Sequence, residues 1–211
     1  MEDYKNDQGL MVMRENVKFV VIPHICPSSF DNSPCKYPNA NNVRINKNFN
    51  YRGSWKTVYV DPSLGGTKGA YPDSEIETRV LKSWLGNYRG ANLWIDCHAD
   101  LSINQPNKLI EVFWSDDATG NMVRSTFSKI KQFYIEKGYI KDPDSVVMNG
   151  RKEVDTYPKT LYSYNEIGIP ALMIEQWALS VVYGSDPTKQ NDSYAIKNYV
   201  TMLHQYILSC L

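Results

Sequence analysis

Apolar and polar positions follow two rhythms along this chain. The run VKFVVIP (17–23) is short, apolar and rich in β-branched residues, and Pro23 stops it, which predicts a buried strand. ANLWIDC (91–97), LIEVFW (109–114) and IPALMIEQW (169–177) predict three more. Between them the apolar residues recur at helical spacing. SEIETRVLKSWLG (74–86) places Ile76, Val80, Leu81, Trp84 and Leu85 on one stripe, with Ser74 and Glu77 spaced as a capping box and Gly86 as the stop. A second helix is expected over about 120–137, built on Val123, Phe127, Ile130 and Tyr134 and ended by Gly138. A third, over about 193–209, carries Ile196, Tyr199, Val200, Leu203, Ile207 and Cys210 on its apolar face, with His204 at the edge as a structural residue. From Cys26 to about Ala70, Pro, Asn, Ser and Gly dominate, and a long irregular segment is expected. Loops of that length inside a compact domain are usually functional or disordered.

Strands alternating with helices predict an α/β fold: a mixed, largely parallel twisted sheet with helices on both faces, in a single domain over 1–211. In such sheets ligands gather outside the carboxyl ends of the strands. That rule picks out His24 after the first strand, His98 and Asp100 after the second, and Glu175 at the end of the last.

Charge changes the picture by exclusion. The chain has 23 basic and 23 acidic residues, which argues against nucleic acid or an anionic membrane as a partner. No apolar run approaches the roughly 18 residues needed to span a bilayer. The opening MEDYKNDQGLMVMREN is charged and has no secretory h-region, and extracellular or cell-wall-associated locations stay open. The four cysteines lack CxxC spacing, so buried thiols are favoured over a Cys26–Cys35 bridge.

The segment WIDCHAD sets an imidazole between two carboxylates, a pattern suited to a metal ligand whose second ring nitrogen is oriented by an acidic neighbour, or to a half-buried histidine with satisfied hydrogen bonds. ALMIEQW places Glu175 among apolar neighbours that would desolvate it, as for a general base or a structurally paired carboxylate.

Taken in order, five segments resemble the zinc metallocarboxypeptidases of the carboxypeptidase A/B type. VKFVVIPHICPSSF is similar to their strand and Asn-Pro-Asp-Gly turn, and NANNVRINKNFNYRGSW to their Val-Asp-Leu-Asn-Arg-Asn-Phe signature with a following Trp. GAYPDSEIETRVLKSWL resembles their Ser-Glu-Pro-Glu-Thr helix start, LWIDCHAD the strand of the third zinc ligand, and YNEIGIPALMIE the strand that ends in the catalytic glutamate. The resemblance implies a hydrolase that cuts the last peptide bond of peptides with a free C-terminal carboxylate, cell-wall peptides included, with zinc as cofactor. It assigns His98 to the metal, Glu175 to the base, and Asn46, Lys47 and Tyr157 to substrate binding. Lys47 stands where the family has arginine, so the carboxylate would be held by a point charge rather than a planar fork.

The chain also departs from that pattern. It has no His-x-x-Glu motif ahead of the first strand, Lys36 and Tyr37 stand where a carbonyl-polarising arginine is expected, and Ala99 follows His98 in place of serine. A hydrolytic zinc site takes three protein ligands and an open position. Three expectations follow: a domain lacking its front part and N-terminal strands, with further ligands on a preceding segment or a second chain; a non-catalytic module that binds peptide termini; or an unorthodox metal site using His24, His98 and Asp100.

Overall fold

The computed structural model describes residues 8–22, 25–26, 38–62, 65–100, 108–136, 147–152 and 158–177. Helix α1 spans Gln8–Asn16, and two single-turn helices, α2 (Ile45–Asn48) and α3 (Ser54–Thr57), punctuate the irregular stretch that follows. Then come α4 (Ile76–Gly86), β1 (Trp94–Asp100), β2 (Lys108–Trp114), α5 (Asp117–Glu136), β3 (Val147–Lys152), α6 (Pro158–Tyr162) with a π turn over Ser163–Ile167, and β4 (Ala171–Trp177).

The strands form one sheet in the order β1-β4-β2-β3. β1 runs parallel to β4 and β2 parallel to β3, while β2 and β4 are antiparallel. The sheet is therefore mixed, and the α/β class holds. β4 is one of its two inner strands: Ala171, Leu172, Met173 and Ile174 are fully buried, as a strand covered on both faces requires. Helices meet both faces. Trp114 faces α5, where its ring lies against Gly120, whereas Asp96, in the row of Met173 and Phe113, faces the other way and meets Lys159 of α6.

Four expectations are corrected. The run at 17–22 is not a strand; it has no regular secondary structure, and Phe19, Val20 and Val21 are 50%, 41% and 73% exposed. A strand needs a neighbour for its backbone ladder, and β1 pairs with β4 instead. The second strand starts three residues later than its apolar run suggests, so His98 and Asp100 lie within β1 rather than past it. Glu175 likewise lies inside β4. The capping box at 74–77 does not form. Glu75 is the N-cap of α4, and the Ser74 hydroxyl donates to the Glu75 carboxylate. The stripe of α4 is also narrower than its sequence suggests, with Leu81 and Leu85 buried but Ile76 and Val80 more than half exposed. The helix expected over 193–209 lies outside the described residues.

One packing unit positions the asparagine-rich segment. Ile45 and Phe49, on α2 and just after it, join Leu81 and Leu85 of α4 and Ile167 and Ile169 around the π turn. Each such side chain contributes about 1.5–3 kcal/mol by leaving water. Positions 45, 48 and 49 are spaced to share one side of a helical turn, which leaves 46 and 47 on another.

Candidate functional site

The segment around α2 is held by polar bonds as much as by its core residues. The buried Arg44 guanidinium donates to the Gly65 and Asp61 carbonyls at 2.7 and 3.0 Å. The Asn48 amide, fully buried, donates to the Lys68 carbonyl at 2.9 Å and to the Ser74 hydroxyl at 3.0 Å, and its oxygen accepts from the Glu75 backbone N–H at 3.1 Å. Gly69 sits at φ +91°, and a Cβ there would collide with both Ser74 and Asn48, so glycine alone fits. Asn39 and Asn41 donate to the Glu75 carboxylate at 2.9 and 2.8 Å. Burial opposes ionisation of Glu75, but these bonds and the one from Ser74 hold its carboxyl below the usual range. Asn46 and Lys47 lie half-buried on the α2 turn, α2 packs against α6, and Phe49, just after α2, meets Tyr162 edge-on.

The other half of the site is built on the sheet. In the parallel β1–β4 pair, His98 and Glu175 are register partners, and His98 Nδ1 lies 3.5 Å from Glu175 Oε1. Two residues back on the same face, Asp96 Oδ2 is 3.1 Å from His98 Nε2. The same oxygen takes the Lys159 ammonium at 2.6 Å. Lys159 and Asp96 are almost entirely buried, with side chains 4% and 6% exposed. The antiparallel register then places Glu111 beside Glu175, so one row across three strands reads His98, Glu175, Glu111.

The electrostatics follow from that geometry. Burial alone would protonate Asp96, but the Lys159 and His98 charges outweigh it and hold the carboxyl well below its ordinary range. Burial alone would discharge His98. Asp96, above all, and the hydrogen bond to Glu175 reverse this and push the ring up to about 9, while Lys159 pulls the other way.

The structure brings His98 and Glu175 together and sets Asn46 and Lys47 on a turn packed against α6. Tyr157 and His24 lie outside the described residues, as does the Asp100 side chain. Asp96 is one of the two carboxylates that flank His98 in sequence, and Lys159 was missed. Asp96 carried a signal, the alternation of WIDCHAD that puts residues 96 and 98 on one face. Lys159 carried none, because nothing in YPKTLY marks a buried lysine.

The described residues do not by themselves fit a zinc ion. No group of three or more His, Cys, Asp or Glu side chains converges among them in a way that could hold a metal. Both ring nitrogens of His98 also face carboxylates of the cluster. A separate cleft of about 540 Å³ opens beside Tyr51, Ser115, Asp116, Lys152 and Tyr164. It belongs to the other end of β4, because Ser115 bonds Ala171, four residues before Glu175.

No protein-family model matches the chain, and no curated protein matches it. Fold and site together define an α/β domain with a histidine–carboxylate pair buried in adjacent parallel strands.

Proposed function

We propose that the chain is a zinc carboxypeptidase-like domain acting on the C-terminal peptide bond of peptides with a free carboxylate. One observation carries the reading: His98 and Glu175, remote in sequence, are side by side at 3.5 Å on one face of the sheet. The ordered run of five family-like segments supports it. In this reading Glu175 is the proton-accepting carboxylate, His98 is a metal ligand, and Asn46 and Lys47 hold the substrate carboxylate. Zinc, the metal expected of the class, requires ligands in addition to His98.

A second reading is a module that binds peptide carboxyl termini without cutting them; it is supported by the sequence having no His-x-x-Glu motif ahead of residue 17 and by the described residues holding no group of three ligands. Zinc content after exhaustive dialysis and release of C-terminal residues from a peptide mixture separate the two. Stoichiometric zinc lost in His98→Ala, with release abolished in Glu175→Gln, supports the peptidase. Metal-free protein that binds free-carboxylate peptides but not amidated ones supports the module. Failure to bind either peptide would sink both.

A further inference from the structure

A lysine ammonium buried in a sheet-facing helix is an unusual expense for a fold, since an apolar pair of similar volume is commonly as stable as a buried ion pair. The Lys159 ammonium meets Asp96 Oδ2 at 2.6 Å, and that same oxygen accepts from His98 Nε2 at 3.1 Å. The far side of the ring presents Nδ1 to Glu175 Oε1 at 3.5 Å. The pair thus stands directly behind the group on which the proposed function rests. α6 also packs against α2, which carries Asn46 and Lys47, so one short helix touches both halves of the site.

We infer that Lys159 is a positioning residue: its ammonium fixes the Asp96 carboxylate, which in turn fixes the His98 ring with Nδ1 turned toward Glu175. The inference rests on the reading of His98 and Glu175 as the functional pair. Lysine at 159 contacts neither the substrate carboxylate nor the scissile bond in this scheme; it acts through Asp96. Partners of metal-binding or catalytic histidines typically matter by 10–100-fold in affinity or activity.

The test uses the full chain with ¹⁵N-labelled histidine at pH 7, well below its melting temperature. The chain has three histidines, so the His98 ring signals are assigned by their loss in His98→Gln. Wild-type protein should show a slowly exchanging Nε2–H resonance from the bond to Asp96. Lys159→Met should broaden it into exchange with water, and Lys159→Arg should retain it; Lys159→Gln serves in the same way if the methionine variant does not fold. Absence of the resonance in wild type, or its persistence unchanged in the folded neutral variants, overturns the inference. In the peptide-release assay kcat should fall about 10–100-fold with KM little changed. An ion pair that only stabilised the fold would lower Tm and leave kcat intact. Wild-type protein without peptidase activity would refute the peptidase reading, and the ring resonance would still decide whether Lys159 holds His98.

Discussion

His98 and Glu175 are direct partners across the parallel β1–β4 pair, with Nδ1 and Oε1 3.5 Å apart. Their shared face is a consequence of register. Side chains alternate with a period of two along a strand, so a slip of one residue would send Glu175 to the face of Leu172 and Ile174. β4 resists that slip because its fully buried residues from 171 to 174 occupy both faces. The geometry of the site is thereby tied to the packing of the core.

Lys47→Ala should weaken peptide recognition without removing the chemistry. Losing one charge-assisted bond to a carboxylate costs about 1.5–3 kcal/mol, or roughly 10–100-fold in KM. Peptides amidated at the C-terminus should show no such change. Steady-state kinetics on matched free and amidated peptides check this, and an equal effect on both would remove Lys47 from the substrate site.

Asn48→Ala should destabilise the fold by about 2 kcal/mol, because it strands the buried Glu75 N–H and leaves the Lys68 carbonyl with Trp55 Nε1 as its donor in place of two. For a chain of this size that lowers Tm by roughly 4–8 °C. Thermal unfolding followed by circular dichroism is the measurement, and an unchanged Tm would show that the Glu75 N–H finds another partner.

Asp116 caps α5, accepting from the Thr119 backbone N–H at 3.0 Å, from the Thr119 hydroxyl at 2.5 Å and from the Ser115 hydroxyl at 2.7 Å. Burial opposes ionisation, yet these bonds hold the carboxyl below its ordinary value of 3.8. A lowered folded-state pKa adds stability above the unfolded value, and that contribution disappears as pH falls through the folded one. Asn is an equally good cap and does not titrate. Urea midpoints of wild type and Asp116→Asn should therefore differ more in favour of wild type at pH 7 than at pH 2.5. Asp116→Ala should cost about 1 kcal/mol at pH 7.

Trp114 is wedged between two glycines, Gly120 of α5 and Gly150 of β3, and a Cβ at either position would collide with the indole ring. The ring is buried and cannot swing aside. Gly120→Ala and Gly150→Ala should each destabilise by about 1–3 kcal/mol, despite the better helix propensity of alanine at 120. Chemical denaturation of the two variants tests this; a stabilised Gly120→Ala protein would show that α5 can shift off the sheet.

The sequence by itself determined the α/β class, the existence of α4, α5, β1, β2 and β4, and the candidacy of His98 and Glu175. These are legible because burial imposes periodicity: two for strands, 3.6 for helices, and an apolar run for a strand covered on both faces. Its errors came where local signals competed with partners elsewhere in the chain. Ser74 is a good capping residue, but the Asn48 amide and Glu75 carboxylate claim its hydroxyl. VKFVVI has strand composition, yet composition does not supply a neighbouring ladder. β3, with only Val147 and Met148 as strong strand residues, gave almost no signal and forms because β2 offers an edge.

Tertiary structure alone decided the strand order, the register that sets His98 beside Glu175, and the burial of Lys159 against Asp96. Each is a relation between segments distant along the chain. A residue's own neighbours fix its rotamers and its face, but the charge it will meet there depends on which strand or helix arrives. That is why the histidine and the glutamate could be suspected from their surroundings, while the lysine behind them could not.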